Sequence, residues 1–79
     1  MNTREQLIAD LESALALEAK DRFTGLFERV CVHLGLGNAE AAEVFDTSVP
    51  NVSRWRRGVA LPAYKMVMRF SIEELEKDV

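Results

Sequence analysis

Apolar residues recur at intervals of three and four along most of the chain, as they do on the buried face of a helix. Residues 3–20 carry such a stripe, and the capping-box pattern that opens at Thr3 predicts the start of this helix. A second stripe follows over 22–34, where Asp21 is suited to cap a helix and Gly35 to end it. The members of the two stripes are Leu7, Ile8, Leu11, Ala14, Leu15, Phe23, Leu26, Phe27, Val30, Cys31 and Leu34.

The middle of the chain predicts two short helices separated by a tight turn. Asn38 is suited to cap a helix that runs to Phe45, and the polar residues after Phe45 form the turn. Ser48 suits the cap of a fourth helix, in whose first turn Pro50 is tolerated because that amide has no partner within the helix. Gly58 is expected to end this helix.

The last predicted helix begins at Pro62 and runs to about Lys77, and no segment has the alternating pattern of a strand. With 79 residues, of which 48% are hydrophobic, the chain is expected to form one domain with a small core. We therefore predict an all-α fold, a compact bundle of about five helices that contains a helix-turn-helix. Its parts are an extra N-terminal helix at 3–20, a motif-bearing core at 22–62 and a long C-terminal helix at 63–77.

Charge is distributed unevenly along the chain. The segment Val49–Phe70 holds five basic and no acidic residues, whereas residues 1–48 hold four basic and nine acidic ones. Residues 71–79 add one basic and four acidic residues, which brings the total net charge to −3. The net charge of the whole chain is acidic, but the chain contains a basic segment that includes the fourth predicted helix.

Composition also bears on location and chemistry. The single cysteine, Cys31, leaves no internal disulfide and fits a reducing cytosol, and neither a secretory signal nor an apolar stretch of about 18 residues is present. We therefore expect a cytoplasmic protein without a membrane partner. Cys31 and His33 lack the further ligands of a zinc site, and no nucleophile is accompanied by a base, so neither a metal, a cofactor nor an enzymatic activity is expected.

Two segments in the middle of the chain have the spacing of a known DNA-binding unit. A pair of alanines at 41–42 is followed by Val-Ser-Arg-Trp at 52–55, and Gly58 and Pro62 come after it. From Leu26 to Pro62, about half of the chain, the sequence resembles the helix-turn-helix of the lambda-repressor/Cro-like family, whose recognition helix carries a V-S-x-W segment. The resemblance implies that the fourth helix enters the major groove of double-stranded DNA.

This sequence departs from the family pattern at three informative positions, one of which is Thr47 in place of the usual aliphatic turn residue. Asp46 stands where the family usually has glycine in the turn, and aspartate tolerates the left-handed conformation better than most residues. Pro50 occupies an early position of the recognition helix and cannot donate a side-chain hydrogen bond to a base.

The resemblance assigns DNA contacts to the fourth helix and its surroundings. Arg54 is the main candidate, since its planar fork can bond guanine N7 and O6 together. Asn51 either reads a base or bonds locally at the helix start, and Trp55 packs in the core with Val52 or stacks on a base. The predicted base contacts are Val49, Pro50, Asn51 and Arg54. The predicted phosphate contacts are Ser48, Ser53, Arg56, Arg57 and Lys65, with Arg69 as a further candidate; for the basic residues the alternative is a solvated helix surface.

The last helix carries more apolar residues than one buried stripe requires. We expect the excess face to form a homodimer interface through Tyr64, Met68, Ile72 and Leu75, unless it packs against the N-terminal helix of the same chain. The predicted function is a sequence-specific transcriptional regulator, a dimeric repressor that reads an inverted repeat, as in phage or plasmid control circuits. The alternative is a protein-interaction module, such as a DNA-binding antitoxin that masks a partner protein with its acidic N-terminal helix.

Overall fold

A computed structural model describes residues 3–58 and 63–77, and within these ranges the chain forms five α-helices and no strand. A short 3₁₀ helix at Lys20–Arg22 joins the first two α-helices. The predicted all-α fold of about five helices is thereby confirmed. The helices are α1 (Thr3–Ala16), α2 (Phe23–Leu34), α3 (Asn38–Val44), α4 (Val49–Arg57) and α5 (Tyr64–Lys77).

Most helix ends follow the predicted signals. Gly35 and Gly58 end α2 and α4 with φ angles of 69° and 75°, which glycine adopts without a steric penalty. The Oγ of Ser48 accepts a hydrogen bond from the backbone nitrogen of Asn51 (3.3 Å), as expected of a cap. The predicted start at Pro62 lies outside the described residues.

Several predicted ends are wrong by one or a few residues. Helix α2 begins at Phe23 with Arg22, not Asp21, in the cap position. Helix α1 stops at Ala16 rather than near residue 20, because the chain turns at Glu18, whose φ is +52°. Helix α3 begins at Asn38, the residue expected to cap it, and Gly37 holds the cap position with its backbone nitrogen donating to Glu40 Oε1 (3.1 Å). The Asn38 side chain is therefore available for another partner.

The core is built around the ring of Phe27 on α2. Phe23 stacks on this ring, and Phe45 and Trp55 meet it edge-on with centroid distances of 5.4 and 5.6 Å. Such edge-to-face pairs contribute about 0.5–1.5 kcal/mol beyond the apolar area that they bury. Because Trp55 lies on α4, this aromatic cluster attaches α4 to the rest of the fold.

The predicted dimer face of α5 is wrong in two of its four members. Met68 and Leu75 have no exposed surface, and Tyr64 and Ile72 are half-buried against the same core. Helix α1 lies against α5 and covers this face within one chain, which is the alternative that the sequence left open. The Nη1 of Arg4 on α1 also donates to the carbonyl oxygen of Leu75 (3.1 Å).

Candidate nucleic-acid interface

Helices α3 and α4 pack against each other across a tight turn and form a helix-turn-helix. Asp46 adopts a φ of +51° in the turn, the left-handed conformation that its position required. The backbone nitrogen of Thr47 donates to the carbonyl oxygen of Ala42 (2.8 Å), which closes the end of α3. Ala42 itself is buried, as a close crossing of two helices needs a small side chain.

The inner side of α4 is apolar. Val52 has no exposed surface, and Trp55 is half-buried with its ring edge-on to Phe27 and Phe45. Trp55 thus packs in the core, which leaves its ring unavailable for stacking on a base. These two residues anchor one side of α4 to the core, and the opposite side of the helix therefore faces solvent.

The outer side of α4 carries most of the predicted DNA contacts. At about 100° per residue, positions 49, 50, 53, 54 and 57 fall within an arc of roughly 140°. Val49 is 45% exposed, and Arg54 is also exposed, whereas Ser53 is half-buried. The other exposed members of this side are Pro50 and Arg57, and Ser48, the cap that precedes α4, is exposed as well.

Asn51 lies at the edge of this outer side and is bonded locally, one of the two alternatives considered for it. Its Nδ2 donates to Oγ1 of Thr47 (3.0 Å), and its Oδ1 accepts from Nη1 of Arg54 (3.0 Å). These two bonds are the local alternative, and the base contact predicted for Asn51 stays a prediction. The bond to Thr47 was not predicted, because Thr47 lies in the turn before α4, where helical spacing does not apply.

Arg56, a predicted phosphate contact, is bonded to other side chains within the chain. Its Nε and Nη2 donate to the two carboxylate oxygens of Glu28 (2.6 and 3.1 Å), and its Nη1 donates to Oδ1 of Asn38 (2.5 Å). Only 24% of the Arg56 side chain is exposed, so its charge lies between helices α2, α3 and α4. The hydrogen bonds lower the pKa of the Glu28 carboxyl and raise the pKa of the Arg56 guanidinium.

Lys65 also has a partner. Its Nζ lies 2.9 Å from Oε1 of Glu18, and this hydrogen bond raises the pKa of Lys65. Both side chains are well exposed, at 40% and 69%, and exposed ion pairs contribute little to stability because water and salt screen them. A phosphate could replace Glu18 at little cost, so the predicted role of Lys65 stays a prediction.

Fewer basic residues are available to bind DNA than the five that the sequence places in Val49–Phe70. In the part of the chain that the structure describes, Arg54, Arg57 and Arg69 form no ion pair. Glu40 and Glu43 on α3 are exposed, so the neighbouring helix adds negative charge. The available positive charge of the helix-turn-helix is therefore carried by Arg54 and Arg57 on the outer side of α4.

The described residues show neither a metal cluster nor a reactive cysteine. No group of three or more His, Cys, Asp and Glu side chains within 3–58 and 63–77 is arranged to hold a metal ion. Burial raises the pKa of the Cys31 thiol, so this residue behaves as a small core side chain. Among the helices of these same ranges, none combines the length and the apolar character needed to cross a bilayer.

Comparisons of the chain with protein-family models, with curated proteins and with solved structures gave no match.

Proposed function

We propose that the chain is a sequence-specific, double-stranded DNA-binding regulator of transcription that acts in the cytoplasm. The observation that carries this proposal is the two-sided character of α4. Its inner side is held by Val52 and Trp55, while its outer side presents Arg54 and Arg57 to solvent. A helix supported in this way on a preceding helix and turn can lie in the major groove.

The proposed contacts fall into two groups, those that recognise bases and those that bind phosphates. Arg54 reads guanine through N7 and O6, and Val49 and Pro50 meet the apolar methyl group of thymine. Arg57, together with the hydroxyls of Ser48 and Ser53, faces the phosphates, which supply affinity without sequence choice. A regulator bound in this way at a promoter blocks access to it, so repression requires no further component.

We also propose that two copies act together. A two-fold dimer would present two α4 helices about 34 Å apart, one turn of DNA, and would read an inverted repeat. Because Met68 and Leu75 are buried, we propose that the dimer surface includes Met66, which is 65% exposed. An apolar groove lined by Phe45, Trp55 and Phe70 adjoins Met66.

Two single substitutions on the outer side of α4 test the proposed contacts. A preferred duplex is first selected from a randomised library with the natural chain. Arg54→Ala is expected to lower the preference for that duplex over a scrambled one by about 5- to 100-fold, because a bidentate contact to guanine is lost. Arg57→Ala should weaken both duplexes about equally and reduce the slope of affinity against salt by about 1.

Arg29→Ala provides the matched control. It removes the same charge from α2, where Arg29 pairs with Asp10 on α1 (2.8 Å), and it should leave both affinities unchanged. An equal loss on both duplexes for Arg54→Ala would reject Arg54 as the reader. A natural chain with no affinity for duplex DNA at low ionic strength would reject the function itself.

A further inference from the structure

Three polar side chains form a hydrogen-bonded row along the start of α4. Thr47 lies in the turn, Asn51 one helical turn further and Arg54 on the exposed outer side. Asn51 Nδ2 donates to Thr47 Oγ1, and Arg54 Nη1 donates to Asn51 Oδ1, each over 3.0 Å. The row therefore begins at the turn and ends at the guanidinium that is proposed to read DNA.

The chemistry of the row determines the direction of the Asn51 amide. A guanidinium only donates hydrogen bonds, so the amide atom facing Arg54 must be the oxygen. The amide nitrogen then faces the hydroxyl oxygen of Thr47, which accepts. A flipped amide would set two donors against each other at Arg54, and the orientation is thus chemically required.

Both polar atoms of the Asn51 amide are consequently engaged within the chain. Asparagine usually reads adenine by presenting its oxygen and nitrogen together to the base edge, and the bonds to Thr47 and Arg54 direct both atoms toward neighbours within the chain instead. Arg54, by contrast, gives one N–H to Asn51 and keeps its other donors for a ligand. Ordering a long side chain before binding reduces the entropy that the contact would otherwise lose.

We propose that Asn51, anchored by Thr47, is a positioning residue that holds the Arg54 fork toward the guanine edge of a single base pair. This assignment rests on the proposed function, and it states how that function obtains its specificity. Asn51 then adds no base pair of its own to the recognised sequence. Its removal affects the base pair that Arg54 reads and leaves the others unchanged.

The test compares complete specificity profiles of variants. The probe is a library of duplexes with a randomised region of about 20 base pairs, long enough for two half-sites one helical turn apart. Arg54→Ala identifies the base pair that Arg54 reads, as the position where preference disappears. Asn51→Ala is expected to lower the preference at that same position by about 2- to 10-fold, the range of one hydrogen bond.

Substitutions at Thr47 separate positioning from a general loss of folding. Thr47→Val, which keeps the shape but removes the acceptor, should reproduce the effect of Asn51→Ala. Thr47→Ser retains the hydroxyl and should restore the natural profile. Affinity for a scrambled duplex and the thermal unfolding midpoint should stay close to those of the natural chain in all three variants, since the Ser48 cap bonds only the backbone of Asn51.

Three outcomes would overturn the assignment. Loss of preference at a second base pair in Asn51→Ala would make Asn51 a direct reader. An unchanged profile in both Asn51→Ala and Thr47→Val, with a natural chain that discriminates, would remove the positioning role alone. A natural chain without any preferred sequence would overturn the proposed function and this assignment with it.

Discussion

At the scale of single residues, two arginines of α4 show how position decides the role of a side chain. Arg54 and Arg56 are two positions apart, which places them about 200° apart around a helix. Arg54 therefore faces solvent, whereas Arg56 turns inward and bonds Glu28 and Asn38. The first is available to a ligand, and the second holds α4 against α2 and α3.

The ion pair of Arg56 makes stability depend on pH in a predictable direction. Its hydrogen bonds hold the pKa of Glu28 below the ordinary 4.5, so folding favours the ionised carboxylate. The stabilisation is fully present above about pH 4.5 and is lost as the pH falls through the lower folded pKa. Glu28→Gln should therefore flatten the fall of the free energy of unfolding between about pH 5 and pH 3.

Urea unfolding over this pH range measures the effect. Asp10 and Glu18 also have lowered pKa values through Arg29 and Lys65, but they titrate in both chains and cancel in the comparison. Glu12→Gln, on the exposed surface of α1, serves as the control and should follow the natural chain. Parallel curves for Glu28→Gln and the natural chain would show that this pair contributes no pH dependence.

At the scale of elements, glycines that end helices also control how closely the helices approach. Gly58 ends α4 beside Thr24 of α2, and a Cβ at this position would lie 2.6 Å from Thr24 Oγ1. Gly35 ends α2 with a similar φ of 69°, but no atom lies within 4 Å of its Cβ position. The two sites share one backbone conformation and differ only in their surroundings.

Substituting alanine at three glycines distinguishes the cost of the left-handed backbone conformation from the cost of a close contact with a neighbouring helix. Gly35→Ala should lower the free energy of unfolding by about 1–2 kcal/mol, since alanine resists the left-handed conformation. Gly58→Ala should cost more, because Thr24 must also move. Gly25→Ala, inside α2 with open space around it, should instead stabilise the chain by about 0.5–1 kcal/mol. Chemical unfolding ranks the three variants, and equal losses at Gly35 and Gly58 would contradict the close approach of α4 to α2.

At the scale of the whole molecule, α1 supplies apolar residues to the core that α3 and α4 do not supply. Leu7, Leu11 and Ala14 of α1 are fully buried, and α1 packs against both α2 and α5. Met68 and Leu75 are thereby covered within one chain, and Met66 is the large apolar side chain of α5 that stays mainly exposed.

Two methionines on α5 test where a second copy binds. Met66→Glu should leave the fold intact and shift the chain to a monomer, because a charge then stands in the proposed dimer surface. Met68→Glu should unfold the chain, since it places an unpaired charge in the core. Circular dichroism measures folding, and sedimentation equilibrium at micromolar concentration measures mass. A natural chain that is already monomeric at micromolar concentration would reject the proposed dimer.

The sequence by itself determined the helices and most of their ends. Apolar spacing, the Ser48 cap and the two terminal glycines all act within about one helical turn, so neighbouring residues suffice to predict them. The left-handed Asp46 was expected from the resemblance to a family that usually has glycine at this position of the turn. The same local reasoning placed Arg54 opposite Val52 and Trp55, because three residues of one helix have a known angular relation.

Only the tertiary structure decided which groups stay available. Arg56 meets Glu28 across 28 positions of the chain, and Lys65 meets Glu18 across 47. The cover that α1 provides for Met68 and Leu75 likewise joins opposite ends of the chain. Such pairings depend on which segments meet in space, and each charge or apolar face could have met several partners of equal local suitability. The local pattern therefore predicted the outer side of α4, while packing selected Arg54 and Arg57 as its available charges.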